Sequence, residues 1–318
     1  MKDLRATPSW QAGRVRLADY AELCALRSSR RRVSAGDLIA GFDRREDEEE
    51  DRFERPVLEA FQELADRIKH LGPAASLYPF ELFEDELRVR PSARRRDQDW
   101  LYLFLLLATA LNMRDERKHA GLDGADLFEK LCATVGLHYF GGGADNRVKA
   151  MVFGTARIRW PEDPEAETDR GSFEAAVNDL CEHLGEGRCF RAKTNKRIHA
   201  RDDKLDVVVW REFSDQRAAK LIGFGQCKTG THWTPELPRL NPRAFCDRWF
   251  DTPPAVVPVK LFFLSDRVEG DLTHDAYEAG VLFDRCRILD YSHGLPTKLL
   301  ADCARWAKAA IKSCGFAS

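Results

Sequence analysis

Hydrophobic and polar positions change rhythm partway along the chain. In the first 140 residues the apolar positions recur at helical spacing. Leu17 to Leu26 forms a short amphipathic stretch, and Val57, Leu58, Phe61, Leu64, Ala65 and Ile68 mark one face of a longer helix that Gly72-Pro73 ends. Trp100 to Leu111 is apolar all round, which predicts a buried helix, since it is shorter than the ~20 residues that span a bilayer. Phe128, Leu131, Cys132 and Val135 share a face of a helix over 127–138, opened by Asp123-Gly124-Ala125-Asp126 and closed by Gly141-Gly142-Gly143. Ser34, with Asp37 three residues on, reads as a helix N-cap. Leu77 to Val89 has no clean period.

From 171 onward the pattern alternates between helix and strand. Ser172 is placed to cap a helix bearing Phe173, Ala176, Val177, Leu180, Cys181 and Leu184, which Gly185 closes. Strands are expected at 189–192, 205–210, 221–228, 256–264 and 281–289. A short helix is expected around Phe245, Trp249 and Phe250, and a terminal helix from Leu299 to Ile311. This order predicts an α/β fold with a mixed sheet, preceded by a mainly α-helical domain. The expected organisation is a helical domain over 1–140, a Gly-, Pro- and acid-rich linker over 141–170, and the α/β domain over 171–318.

Composition narrows the class. The chain has 318 residues, 44% hydrophobic and 32% charged, which reads as a soluble, globular protein rather than a disordered one. Its 50 basic and 52 acidic side chains leave a net charge of −2, so any contact with nucleic acid must use local basic patches. Nine cysteines without a C-x-x-C spacing argue against a zinc ribbon and for reduced, buried thiols. The N-terminus has no apolar signal-like region, so a cytoplasmic protein is expected. Arg27-Ser28-Ser29-Arg30-Arg31-Arg32 and Pro91 to Arg96 are cationic clusters. The first is read foremost as charge complementing a helix C-terminus, with phosphate contact as the second reading. The acidic run from Glu46 to Asp51 is read as a solvated helix or loop.

Candidate chemistry gathers on two runs, Leu205-Asp206-Val207-Val208-Val209-Trp210 and Leu221-Ile222-Gly223-Phe224-Gly225-Gln226-Cys227-Lys228. Strand side chains alternate faces, so Gln226 and Lys228 point one way and Cys227 the other. Pairing of the runs would bring Asp206 to the same sheet edge. A carboxylate, an amide oxygen and an ammonium there suit a hard divalent cation beside a phosphate. Asp202 or Asp203 would replace Asp206 under a shifted register.

Glu174 on the leading helix, Asp206 at a strand and Gln226-x-Lys228 on the next strand resemble the PD-(D/E)xK, or restriction-endonuclease-like, superfamily. The Q-x-K string is similar to that of its Mrr-type members. The resemblance covers about residues 171–312, with two departures: no proline precedes Asp206, and neutral Gln226 stands in place of a carboxylate. It implies a metal-dependent nuclease, a DNA endonuclease in restriction or antiviral defense. Asp206, Gln226 and Glu174 would hold Mg2+ (or Mn2+), and Lys228 would orient water or phosphate. Lys193, Lys196, Arg197, Arg201 and His232 are the expected nucleic-acid contacts, and Trp233 is read as a packing residue. The implied partners are DNA or RNA and a partner ATPase or helicase; cutting both strands would call for a second copy in a homodimer, and the short apolar run at 100–111 argues for no membrane. A catalytically inactive module of the same fold and an RNase are the alternatives.

Overall fold

A computed structural model describes residues 8–42, 51–92, 95–143, 145–154, 173–192 and 203–314. The N-terminal part forms helices where the 3.6-residue spacing predicts them: α1 (Arg14–Arg27), α2 (Ala35–Ala40), α3 (Asp51–Leu71), α4 (Leu101–Ala110) and α5 (Gly124–Tyr139). Ser34 and Asp37 close a reciprocal capping box at the start of α2, and the Asp123 side chain accepts from the Ala125 N–H at the start of α5. All residues of α4 from Leu101 to Thr109 are buried, as an all-apolar helix requires. Among the described residues no helix is long and apolar enough to cross a membrane.

The aperiodic stretch near residue 80 is a hairpin. Strands β2 (Phe80–Phe83) and β3 (Glu86–Val89) join through Glu84 at φ 54, and β1 (Arg32–Ser34) pairs with β3 to make a three-stranded antiparallel sheet. A two-stranded pair, β4 (Lys118–His119) and β5 (Leu122–Asp123), leads into α5.

The second half is built on a five-stranded mixed sheet. In chain order its elements are β6 (Val148–Val152), α6 (Phe173–Leu184), β7 (Val207–Arg211), β8 (Leu221–Lys228), α7 (Pro242–Trp249), β9 (Val259–Leu264), α8 (Thr273–Ala279), β10 (Val281–Phe283), α9 (Arg285–Asp290) and α10 (Thr297–Ser313). The strand order is β10-β9-β8-β7-β6. The β6, β7 and β8 strands run antiparallel, and β8, β9 and β10 run parallel. Thus β6, from inside the stretch expected as a linker, is an edge strand of the sheet.

The strand expected at 205–210 pairs as Val207–Arg211, and three others differ more in extent. Residues 281–289 split at Asp284, whose carboxylate accepts from the Arg287 N–H at 3.1 Å and starts α9, leaving only three residues of strand. The 256–264 run pairs only from Val259, because Pro258 cannot donate to a ladder and Val256 and Val257 lie exposed before it. Residues 189–192 contribute a single bridge, Phe190 to Phe250. The Ser172 cap lies outside the described residues.

One face of the sheet, with Val207, Val209, Leu261 and Phe263, joins α1, α3, α4, α5, α9 and α10 in a single apolar cluster. The opposite face, with Met151, Val208, Trp210, Ile222 and Phe224, is covered by α6 and α7. A small third cluster, including Phe262, Leu264 and Leu237, lies by α8. Gly223 and Gly225 allow close packing on the first face. A Cβ at Gly223 would meet the Phe140 ring at 2.7 Å, and one at Gly225 would meet the Phe263 ring at 2.9 Å.

A buried ionic clamp ties the helical half to the carboxyl ends of β9 and β10. Arg67 on α3 reaches Asp19 at 2.7 Å, Glu22 at 3.0 Å and Glu63 at 3.2 Å. Arg285 grips both oxygens of Asp19, at 2.8 and 3.1 Å, and donates to the Ser265 carbonyl. Arg267 bridges Asp284 at 2.5 Å and Glu63 at 3.2 Å. The hydroxyls of Tyr78 and Tyr102 both donate to Glu22 at 2.7 Å. These charges satisfy one another, as burial demands.

Candidate functional site

The sheet brings three of the four expected site residues to one end. Asp206 immediately precedes β7, and Val207 pairs with Gly225, so Asp206 sits beside the last residues of β8. Three hydrogen bonds fix it. Its N–H donates to the Gly225 carbonyl at 2.9 Å, its carbonyl accepts from the Phe153 N–H at 2.7 Å, and its Oδ2 accepts from the Cys227 N–H at 2.7 Å. The same end carries the carboxyl termini of the parallel strands β8, β9 and β10, the usual place for a ligand in an open α/β sheet.

Alternation along β8 runs as the sequence predicts. Ile222 and Phe224 face α6 and α7, whereas Cys227 packs with the cluster beneath α5. Gln226 and Lys228 continue the Phe224 face. Gln226 is fully buried, yet among the described residues neither its Oε1 nor its Nε2 has a hydrogen-bond partner. A buried amide without partners costs ~1–3 kcal/mol. Gln226→Met, which keeps the length and removes both polar atoms, is therefore expected to raise stability by about that amount. A shift of the urea midpoint checks this, and a lower midpoint would refute it.

Lys228 is not solitary. Its Nζ lies 3.1 Å from Glu236 Oε2, and Arg239 holds the other oxygen of that carboxylate at 2.8 Å. Glu236 closes a single helical turn, Thr234–Glu236, just beyond the strand. Burial pushes its carboxyl up, but Lys228, Arg239 and Lys204 pull harder, so it stays below the ordinary range. The loop bearing Glu236 is anchored one step earlier. The Trp233 indole N–H donates to Asp266 Oδ2 at 2.9 Å, and Arg16 of α1 grips Asp266 with two bonds of 2.8 and 2.6 Å. Trp233 is thus a packing and anchoring residue, partly buried against the third cluster.

The remaining candidates stand apart. Glu174 is exposed in the first turn of α6 and makes no hydrogen bond or ion pair with Asp206, Gln226 or Lys228. Asp203 is engaged by Trp249 at 2.6 Å and Arg248 at 2.5 Å, so it is not free to replace Asp206. His232 is exposed in the loop after β8. Lys193, Lys196, Arg197, Arg201 and Asp202 lie outside the described residues.

Two carboxylates escape sequence reasoning. Glu236 lies in a proline-punctuated loop, and only its short distance from Lys228 in the chain hinted at it. Glu129 is hidden among the polar positions of α5. Burial first, and then the charges of Glu129 and Asp206, push the Cys132 thiol up. For Cys227 the order is burial, the neighbouring Cys132, and then Asp206 and Glu129. Asp206 and Glu129 therefore act on the same pair of thiols. Among the described residues no three His, Cys, Asp or Glu side chains converge so as to hold a metal ion. Oxygen donors at this end include the Asp206 carboxylate, the Gln226 amide and the Glu236 carboxylate. No family model, curated protein or solved structure matches the chain.

Proposed function

We propose that the Asp206, Gln226 and Lys228 end of the sheet is a phosphodiester-hydrolysing site, and that the chain is a Mg2+-dependent nuclease acting on DNA. The observation that carries this reading is the shared sheet end, with Gln226 and Lys228 on one face and Asp206 on the adjoining strand. The amide of Gln226 fits a cation: it offers a buried oxygen that no other group among the described residues uses. Asp206 and Gln226 would hold the metal, which when bound neutralises charge gathering on the phosphate and acidifies a water. Lys228 binds a non-bridging phosphate oxygen as a point charge. Glu236 holds that ammonium in place until the phosphate takes over the contact. Trp233 and Asp266 keep the Glu236 loop seated.

Supercoiled plasmid and a single-stranded RNA, each incubated with Mg2+ and with EDTA, test the reading. Nicking or linearisation of the plasmid that EDTA abolishes is expected. Cleavage of RNA alone would make it an RNase, and cleavage indifferent to EDTA would remove the metal from the mechanism.

A second reading has its own support. Gln226 is neutral and Lys228 is already paired with Glu236 at 3.1 Å, which suits a catalytically silent module of the same architecture that binds nucleic acid or protein. Retention of DNA without cleavage under any divalent metal would favour it. A role in restriction or antiviral defense and a partner ATPase or helicase follow only from the resemblance, and a homodimer from the need to cut both strands; all belong to this proposal.

A further inference from the structure

The helical half reaches the strand-end site through the last residues of β9 and the pair that follows. The Ser265 N–H donates to the Lys228 carbonyl at 3.1 Å, and the hydroxyls of Ser265 and of Thr109 on α4 lie 3.0 Å apart. The next residue, Asp266, is 1% exposed. Arg16 of α1 donates to its two oxygens at 2.8 and 2.6 Å. The Arg267 N–H donates to Oδ1 at 2.8 Å, and the Trp233 indole N–H to Oδ2 at 2.9 Å. Asp19 lies farther from Arg16, at 3.8 Å, and is held more closely by Arg67 and Arg285.

From Trp233 the link runs on to the site. The Trp233 carbonyl accepts from the Glu236 N–H at 2.8 Å, closing the single turn that carries Glu236. Glu236 Oε2 then meets Lys228 Nζ at 3.1 Å. Beyond that turn Leu237, 1% exposed, seats the loop in the core, and the Lys260 ammonium donates to its carbonyl. The stretch between Lys228 and Leu237 is therefore where the Asp266 contact decides position. A planar guanidinium on both oxygens fixes the orientation of a carboxylate as a single ammonium does not.

We infer that Arg16 is a positioning residue for Lys228, acting through Asp266, Trp233 and Glu236. The helical half thereby sets how readily that ammonium meets phosphate. Loss of this relay loosens the turn and frees Lys228 from its carboxylate, so DNA is held more tightly. A merely structural lesion has the opposite sign. The effect on DNA rests on the nuclease reading; the positioning of the turn does not.

Hydrogen exchange of the full chain, read by mass spectrometry on peptides covering 229–236 and α10, tests the positioning without any cleavage. Arg16→Gln should speed exchange at 229–236 and leave α10 unchanged. Trp233→Phe, which keeps a ring and removes the N–H, should do the same. Unaltered exchange at 229–236, or exchange raised equally in α10, overturns the inference. Plasmid cleavage reads the consequence. Arg16→Gln should lower KM about two- to fivefold with a smaller change in kcat, the effect of releasing one ion pair. Added to Glu236→Gln it should lower KM no further, because the carboxylate it positions is already neutral. A raised KM, or effects that add, also overturns the inference. Absence of cleavage by wild type sinks the nuclease reading alone, and the exchange result then decides the positioning. Should Arg16→Gln fold poorly, Arg16→Lys, which keeps the charge and loses the fork, supplies the same comparison.

Discussion

Replacing Arg67 with methionine is expected to lower the stability of the fold by ~3–5 kcal/mol, the cost of stranding buried charge. Arg67 is fully buried and answers three carboxylates, Asp19, Glu22 and Glu63, and it also donates to the Val15 carbonyl at 3.1 Å. Methionine fills the stem volume but leaves those acids facing fewer cations. Urea unfolding checks the size of the loss, and a change under ~1 kcal/mol would show that the clamp is energetically slack. Adding Glu22→Gln to Arg67→Met should restore part of the loss, because one of the stranded charges is gone.

The same clamp sets a pH dependence. Burial pushes the Asp19 carboxyl up, but Arg285 and Arg67 pull it further down, to well below the usual carboxylate range. A depressed native pKa gives stability that is complete above the unfolded value of ~3.9 and is lost as pH falls toward the native one. Wild-type protein should therefore lose stability below about pH 4, and Arg67→Met should lose less on that limb. Glu22 works the other way. Burial raises its carboxyl despite Arg67, so its contribution is present below the unfolded ~4.3 and fades as pH rises through the native value.

The second large effect is on activity. Under the nuclease reading, Asp206→Asn should cut Mg2+-dependent plasmid cleavage by ~10²–10³-fold and Lys228→Ala by a similar factor, as expected when a preorganised charge facing the transition state is removed. Both residues lie at a strand end outside the main core, so circular dichroism should show the fold retained. Glu236→Gln should instead lower KM for DNA with a smaller change in kcat, because the ammonium then meets phosphate without first leaving a carboxylate. Variants of Asp206 and Lys228 that cleave as wild type does would move the site elsewhere. If wild type cleaves nothing while DNA is still bound, the silent-module reading stands.

What the sequence revealed depended on how far each signal reached along the chain. Local periodicity located α3, α4, α5 and β8, because each is governed by neighbours within a few residues. It failed at 281–289. There the alternation of Val281-Leu282-Phe283 runs directly into Cys286, Ile288 and Leu289, and only the side-chain cap at Asp284 separates strand from helix. It failed also at 80–89, where a hairpin turned by Glu84 left no period long enough to see. Within the site, alternation placed Gln226 and Lys228 together, since it is a property of one strand. The contacts of Lys228 with Glu236, and of Trp233 with Asp266 and Arg16, join separate elements and had no local trace. The clamp left no local trace either, because Glu63 and Arg67, four residues apart on α3, have the spacing of an ordinary surface pair on a helix.

The clamp also bears on the order in which the molecule can assemble. Asp19 and Arg285, bonded at 2.8 Å, are 266 residues apart in the chain. During synthesis the first helices leave the ribosome holding Asp19, Glu22 and Glu63, with Arg67 the one buried cation of these helices among the described residues. The two arginines that complete the neutralisation, Arg267 and Arg285, arrive near the end. Contacts of such long sequence separation form slowly, because closing a long loop costs entropy before any contact rewards it. The neutralisation of Asp19 and Glu63 is therefore complete only once the C-terminal elements bearing Arg267 and Arg285 have packed against the helical half.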